Sequence, residues 1–140
     1  MRILALDVGT KTIGVAVSDE LGIAAHGVTT IKRTELKRDL EALHKIIDQC
    51  KPSEILVGVP YNYDGTVSKR GEEILKFAEK IKIAFSLPIE LWDESFSTVD
   101  AEKILLEADL SRKKRKKVID KMAAVFILEG YLDKKRKEKT

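Results

Sequence analysis

The sequence predicts an α/β fold: a mixed five-stranded sheet, made of an antiparallel meander plus two parallel strands, with helices flanking it. Three observations predict this fold. Apolar segments of strand length, separated by short turns, dominate the first 31 residues. Beyond them, segments with helical spacing of apolar residues alternate with further short apolar segments. The 140 residues are the length of one ordinary domain, and we expect 1–140 to form a single unit.

Five segments have the β-branched or apolar composition of strands. The first three lie close enough together for short turns to connect them, and strands joined in this way pair antiparallel. A strand–helix–strand connection requires parallel pairing with a right-handed crossover, which applies to the last two. The predicted strands are 2–7, 13–18, 23–31, 54–59 and 89–92.

Four segments are predicted to be helices. In the first two, apolar residues recur at the spacing of one helix face. These stripes comprise Leu36, Leu40, Leu43, Ile47 and Cys50, then Ile74, Ala78, Ile81 and Phe85. Cys50 is therefore expected to be a small core residue rather than a nucleophile. The other helices are predicted at 101–108 and 112–132, and the basic segment 133–140 is expected to be a flexible tail.

Basic residues are concentrated at the C-terminal end of the chain. The formal net charge is only +3, but residues 112–140 contain twelve Lys and Arg against four Asp and Glu. The first 111 residues contain fourteen Lys and Arg against nineteen Asp and Glu. An acidic body with a basic end favours a polyanion such as nucleic acid as partner, while a solvated helix end is the alternative.

Two classes of protein are excluded by composition. The longest apolar runs have seven residues, well short of the roughly 20 that a membrane span needs. The single cysteine, Cys50, excludes an internal disulfide framework and a multi-cysteine zinc site. We therefore expect a cytoplasmic protein with no membrane partner.

Asp7 is an acid at the end of the first predicted strand, on the face that also carries Ile3 and Ala5. A carboxylate there is costly unless it is paired, capped or bound to a cation. The turn that follows, 8–14, holds two glycines, threonine hydroxyls and Lys11, which together could present donors to a phosphate. A hairpin turn with Asp7 as a local acceptor is the alternative. The turn matches neither the P-loop nor the Rossmann glycine pattern.

Two further acids stand at unusual places. Asp93 and Glu94 end the last predicted strand, where sheets with parallel strands commonly bind ligands, and only one of them can face the Asp7 side. Asp120 interrupts an apolar helix, where an ion pair with Lys116 or Lys117 is the alternative explanation. Three converging carboxylates would bind Mg²⁺ or Mn²⁺, and two such ions about 4 Å apart promote phosphodiester hydrolysis.

Four ordered motifs resemble one known family, the YqgF-type pre-16S ribosomal RNA nucleases, also described as Holliday-junction-resolvase-like. Residues 7–19 resemble the family's first motif, and 57–66 resemble its central loop. Residues 92–98, Trp-Asp-Glu-Ser-Phe-Ser-Thr, resemble its third motif, and 112–124 resemble its C-terminal helix motif. The resemblance covers residues 1–132 in order and with the family's spacing.

The resemblance implies an RNase H-like fold and a metal-dependent nuclease site. Its catalytic and metal-binding residues would be Asp7, Glu94 and Asp120, with two Mg²⁺ or Mn²⁺ ions as the cofactor. Ser95 stands where the family usually has an arginine, so nucleic acid would be held by other cations. The residues expected to contact substrate are Thr10, Lys11, Asn62, Arg70, Arg112, Lys113, Lys114 and Lys116.

The function that the resemblance implies is an endonuclease that matures the 5′ end of pre-16S ribosomal RNA, acting on a structured RNA. A resolvase of branched DNA is one alternative, and a non-catalytic nucleic-acid-binding protein is another. An ATP-binding module is a third, because the Asp-Val-Gly-Thr-Lys turn at 7–11 also resembles the phosphate loop of the actin and sugar-kinase fold. That fold closes two lobes over its nucleotide, and this chain has room for one. The sequence leaves open a monomer or a homodimer.

Overall fold

The sheet and its helices follow the predicted order along the chain. The computed structural model describes residues 2–62, 64–93 and 112–138, with the backbone alone for 112–121 and 138. Its elements are β1 (Ile3–Val8), β2 (Thr12–Ser18), β3 (Ala25–Lys32), α1 (Leu36–Cys50), β4 (Glu54–Val59), α2 (Lys69–Phe85), β5 (Ile89–Asp93) and α3 (Arg112–Glu138). The helix predicted at 101–108 lies outside the described residues.

The five strands form one mixed sheet in the order β3-β2-β1-β4-β5. β1, β2 and β3 pair antiparallel as a meander. β4 pairs parallel with β1 on one side and with β5 on the other. The predicted fold class is therefore confirmed. β1 lies in the middle of the sheet, hydrogen-bonded to β2 on one side and to β4 on the other.

Strand alternation divides the core into two layers. Leu4, Leu6 and Val8 of β1 face α1 and α2, in one cluster with Leu43 and Phe77. Ile3 and Ala5 face the other way, in a cluster with α3 that includes Ala124, Ile127, Leu128 and Tyr131. Cys50 packs at the edge of the first cluster and is only partly buried. Both faces of the sheet are thus covered by helices, as a sheet with parallel strands requires.

α2 begins at Lys69, earlier than its apolar stripe indicated, because a polar residue caps its first turn. The Ser68 hydroxyl accepts a hydrogen bond from the Gly71 N–H at 3.1 Å. Gly71 itself must be small, because an added Cβ would lie 2.6 Å from a Val67 methyl group. The start of α2 is therefore packed against the loop that follows β4.

α3 continues to Glu138, so residues 133–138 of the basic C-terminal segment are helical. Basic side chains in the last turns find partners on the sheet. Lys135 lies 3.5 Å from Glu54 and over the Tyr131 ring, and Lys134 lies over the Trp92 ring at 5.6 Å. The Arg136 guanidinium donates to the Ile23 carbonyl at 3.4 Å. These contacts stabilise the end of the helix against the sheet.

This packing shifts the pKa values of Tyr131 and Lys135. Burial raises the pKa of the Tyr131 phenol. The hydrogen bond with Tyr131 raises the pKa of Lys135, and Glu54 adds to the effect. Both groups therefore keep their protons more firmly than they do in an unfolded chain. Within the described part of the chain, no helix is long and apolar enough to cross a membrane.

The packing of α3 gives a direct test of the second core layer. Ile127 is completely buried between α3 and the sheet. Ile127→Ala is expected to lower the free energy of unfolding by about 2–5 kcal/mol, because the truncation leaves a cavity. Urea denaturation measures this change. Ile83→Ala is the matched control, since Ile83 is 72% exposed on α2 and its truncation should change stability by about 0.5 kcal/mol or less. Equal effects of the two substitutions would contradict the packing.

Candidate active site and nucleic-acid interface

Asp7 lies at the C-terminal end of the central strand, on the face that α3 covers. It alternates with Ile3 and Ala5, which both belong to the α3 layer of the core. Its partner on β2 is Gly14, at the end of the strand opposite to the Ile3–Ser18 hydrogen bond. The carboxylate is half-buried. The predicted face and position of Asp7 are therefore those that the structure shows.

Glycines lie on both sides of Asp7 in the sheet. Gly14 pairs with it directly on β2. On β4, Gly58 follows Val57, the partner of Leu6, and so is the next residue alongside Asp7. Gly58 in turn pairs with Trp92 on β5. Neither neighbouring strand therefore contributes a side chain beside the Asp7 carboxylate. A glycine within a strand often marks the close approach of another group or of a ligand.

The turn after Asp7 is tight and presents its polar side chains to solvent. The Gly9 N–H donates to the Thr12 carbonyl at 2.8 Å. An added Cβ at Gly9 would lie 2.8 Å from that same carbonyl oxygen, so no larger residue fits without a backbone shift. Thr10 and Lys11 are both exposed at the tip. The turn therefore offers a hydroxyl and an ammonium group within a few residues of Asp7.

Two arginines from the opposite face hold this turn. The Arg70 guanidinium, from α2, donates to the Val8 carbonyl at 2.5 Å and pairs with Glu73 at 3.1 Å. The Arg33 guanidinium donates to the Gly9 carbonyl at 2.8 Å. Arg70 is among the predicted substrate contacts, whereas Arg33 is not, because no motif surrounds it. The one sequence feature that could have indicated its role is its position directly after β3 and six residues before Asp39 of α1.

Arg33 is fixed by contacts on three sides. Its Nε lies 3.4 Å from the Asp39 carboxylate, and its guanidinium lies over the Phe77 ring at 4.8 Å. Asp39 is almost completely buried and also accepts a hydrogen bond from the Thr34 N–H at 3.1 Å. A buried carboxylate without a partner would be costly, so Asp39 and Arg33 depend on each other.

β5 ends with the residues that precede Glu94. Trp92 packs in the α3 layer, edge-on to Tyr131 at 5.8 Å, and so lies on the same face of the sheet as Asp7. Asp93 is its neighbour in an extended strand and therefore lies on the opposite face. Glu94 lies outside the described residues, two positions beyond Trp92.

α3 contains Asp120 and the basic residues at its N-terminal end. Position 120 is one turn before the buried Ala124 and two turns before the buried Ile127. These spacings place 120 on the line of helix positions that face the sheet. The C-terminal end of α3 lies beside Glu54, at the start of β4. Its N-terminal end therefore points toward the end of the sheet where Asp7 lies. The helix contains the predicted substrate contacts Arg112, Lys113, Lys114 and Lys116, whose side chains lie outside the description.

The loop that follows β4 is closed by its own polar groups. The Asn62 amide donates to the Thr66 hydroxyl at 3.0 Å, and the Thr66 N–H donates to the Asp64 carboxylate at 3.0 Å. The hydrogen bond from the Thr66 hydroxyl holds the pKa of Asp64 below its usual value. Asn62 and Asp64 are both exposed. Asn62 therefore shapes this loop as well as being a candidate for substrate contact.

Asp19, Asp93 and Asp100 are further acids that could supply a ligand, and the two that the structure describes do not lie beside Asp7. Asp19 follows Ser18, which lies at the far end of the sheet beside Ile3. Its carboxylate accepts from the Ile23 and Ala24 N–H groups, and these bonds lower its pKa. Asp93 lies on the opposite face, and Asp100 falls outside the described residues. Among the described side chains, no three acids, histidines or cysteines form a group that could hold a metal ion. This set includes Asp7 but neither Glu94 nor Asp120.

Comparison with known proteins identifies the family that this chain resembles in sequence. The family model described as "RuvX: Holliday junction resolvase" matches residues 1–134. A protein of Clostridium kluyveri named "Putative pre-16S rRNA nuclease" is 56% identical over 134 residues, covering 96% of this chain and 98% of the relative. A protein of Clostridioides difficile with the same name is 55% identical over 132 residues, covering 94% of each. The resemblance inferred from the four motifs is therefore confirmed.

Comparison with solved structures identifies the fold. Thermus thermophilus RuvC in complex with a Holliday junction superposes with a TM-score of 0.60 at 14% identity, covering 97% of this chain and 96% of that one. The fowlpox virus resolvase in complex with Holliday junction DNA superposes with a TM-score of 0.59 at 14% identity, covering 96% and 98%. At this identity the similarity concerns the fold alone, which is the RNase H-like fold of these resolvases.

The tight turn after Asp7 gives a test of how the site is held. Gly9→Ala is expected to destabilise the protein by about 1–3 kcal/mol, because the added methyl group meets backbone at 2.8 Å. Thermal denaturation measures this loss. Gly130→Ala is the matched control: its Cβ would meet the Trp92 ring at 3.3 Å, and a side chain can move aside. A Gly9→Ala variant as stable as the control would contradict the close approach.

Proposed function

Because the chain belongs to the RuvX family, whose model matches residues 1–134, we propose that it is a nuclease that matures the 5′ end of pre-16S ribosomal RNA. The names of relatives that are 50–56% identical over nearly the full chain support this substrate. The observation that carries the proposal is the position of Asp7. It is a half-buried carboxylate at the end of the central strand, between two glycines, on the face covered by the helix that contains Asp120.

The proposed catalytic group consists of Asp7, Glu94 and Asp120. Alternation in β5 supports Glu94 over Asp93, because Trp92 shares a face with Asp7 and Glu94 comes two residues later. Helical spacing supports Asp120, because its position is one turn before Ala124 on the sheet-facing line of α3. Asp7 lies near the end of β1, Glu94 directly follows β5 in the sequence, and Asp120 lies in α3, whose N-terminal end points toward the same end of the sheet.

These three residues fit a divalent cation, and we propose Mg²⁺ or Mn²⁺, with two ions in the active form. Carboxylate oxygens are hard ligands, which these ions prefer over the nitrogen and sulfur that zinc prefers. Gly14 and Gly58 support this proposal, because neither of them places a side chain beside the Asp7 carboxylate. When bound, such ions lower the pKa of water and stabilise the charge that develops on the leaving oxygen.

The chain's own cations would hold the nucleic acid. Thr10 and Lys11 are exposed at the turn beside Asp7, where they can donate to a backbone phosphate. Asn62 and Arg70 flank the same end of the sheet. Farther out, the N-terminal end of α3 adds sequence-independent contacts to phosphates. These residues are Arg112, Lys113, Lys114 and Lys116.

Cleavage of branched DNA is the second candidate function. The family's description as Holliday junction resolvases favours it, as do the two solved structures with bound junctions that share the fold. A resolvase needs a two-fold dimer that places two sites on symmetric strands, whereas an RNA-processing nuclease can act as a monomer. In both cases we propose one cytoplasmic nuclease domain that spans 1–140.

The catalytic proposal predicts a sharp difference between neighbouring acids. Asp7→Asn and Glu94→Gln should each abolish cleavage of a pre-16S RNA fragment in Mg²⁺ or Mn²⁺, because each removes a negative ligand. Asp93→Asn should keep most of the activity, since Asp93 lies on the opposite face of the sheet. The assay measures cleavage of RNA and of a four-way DNA junction in parallel.

The comparison requires that each variant folds and binds nucleic acid. Circular dichroism checks the folding, and fluorescence anisotropy checks the binding. Undiminished cleavage by Asp7→Asn would contradict the proposed site. Cleavage of the junction alone would replace the ribosomal substrate with branched DNA. Cleavage of neither substrate by the wild-type protein would leave a nucleic-acid-binding protein without nuclease activity.

A further inference from the structure

An open pocket of about 360 Å³ lies on the face of the sheet opposite to the Asp7 carboxylate. It is formed where the turn between β1 and β2 meets the start of α1 and the first half of α2. Two exposed threonine hydroxyls and three cationic side chains line it, together with two carboxylates and two apolar side chains. The lining residues are Thr10, Arg33, Thr34, Leu36, Asp39, Arg70, Glu73, Phe77 and Lys80.

The carboxylates of this pocket are already used by its arginines. Asp39 pairs with Arg33 at 3.4 Å, and Glu73 pairs with Arg70 at 3.1 Å. Lys80 is exposed, and no carboxylate among the described residues lies within ion-pair distance of it. The pocket therefore carries one positive charge in excess of its negative charges. One phosphodiester group carries one negative charge.

The arginines are preorganised rather than mobile. Arg33 is held by Asp39, by the Gly9 carbonyl and by the Phe77 ring. Arg70 is held by Glu73 and by the Val8 carbonyl. Each guanidinium has five N–H donors, and these contacts use only part of them. Donors fixed in this way lose little conformational entropy when an anion binds.

We propose that this pocket binds a backbone phosphate of the nucleic acid that the active site cleaves. The proposal rests on the nuclease function proposed above and adds a subsite made by Arg33, Thr34 and Lys80. Thr10 links the two faces, because it lines the pocket and follows Asp7 by three residues. Three residues span at most roughly 10 Å. The phosphate in the pocket would therefore lie within about three nucleotides of the phosphodiester bond at Asp7.

A phosphodiester fits this pocket better than a whole nucleotide does. A base needs an apolar wall or an aromatic face to stack on. The one aromatic ring in the lining, Phe77, is buried and already lies under the Arg33 guanidinium. Leu36 is the one apolar side chain in the exposed part of the lining, and a single leucine offers little surface for a base to stack on. The pocket is accordingly suited to recognise the backbone and not the sequence of the strand.

The test compares two lysines on the same helix. Lys80 lines the pocket, whereas Lys82 lies two residues farther along, on another side of α2, and is exposed outside it. Binding of a fluorescent pre-16S RNA hairpin with single-stranded flanks is measured by anisotropy without divalent metal ions, between about 50 and 200 mM salt. Lys80→Ala should weaken binding about threefold to tenfold and reduce the slope of log K against log[salt] by about 0.7–0.9. Lys82→Ala should change neither quantity.

The outcomes separate this proposal from the function on which it rests. Equal binding and equal salt slopes for the Lys80→Ala and Lys82→Ala proteins would overturn the subsite and leave the nuclease proposal intact. A wild-type protein that binds neither this RNA nor a DNA junction would overturn both. Adenosine monophosphate serves as a competitor. If it binds in the pocket while Lys80→Ala leaves RNA binding unchanged, the pocket binds a free nucleotide, which contradicts the proposal.

Discussion

The hydrogen-bonded register of β1 between β2 and β4 controls the position of Asp7, the candidate site residue at the centre of the sheet. Side chains alternate along a strand, so a slip of one residue would move Asp7 into the apolar layer beneath α1 and α2. Burying a lone carboxylate there would cost several kcal/mol. Leu4, Leu6 and Val8 prevent the slip, because they fill the α1 and α2 layer while Ile3 and Ala5 fill the α3 layer. The core thus holds Asp7 on the α3 face.

The remaining parts of the candidate site depend on contacts made on the two faces of the sheet. On one side, Trp92, Tyr131 and Lys135 hold the C-terminal end of α3 against β4 and β5. The Lys135–Glu54 ion pair lies at the end of the sheet far from Asp7, so the N-terminal end of α3 points toward the end where Asp7 lies. On the other side, Arg33 and Arg70 hold the carbonyls that follow Asp7. The turn is therefore stabilised from a face that carries no proposed catalytic group.

The sequence predicts the fold and the placement of Asp7 because both follow from alternation and spacing over short distances. The strands, the meander, the parallel pairs and the apolar stripes are all local patterns. Contacts between distant segments leave no such pattern. Arg33 contacts Gly9, which lies 24 residues earlier in the chain, and Lys135 contacts Glu54, which lies 81 residues earlier. Neither the pocket nor the helical continuation to Glu138 could therefore be predicted. The pairing with Arg33 compensates for the burial of Asp39, and no local pattern in the sequence indicates this pairing.

The central claim is that Asp7, Glu94 and Asp120 form one cation site at the end of β1. Anomalous diffraction from a crystal soaked in Mn²⁺ tests it most directly, since Mn²⁺ is located independently of the phases from the protein. We expect anomalous density within coordination distance of the Asp7 carboxylate, with Glu94 and Asp120 as further ligands. Crystals of the Asp7→Asn protein should show no such density. Mn²⁺ bound elsewhere in crystals of a protein that cleaves RNA, with none at Asp7, would contradict it.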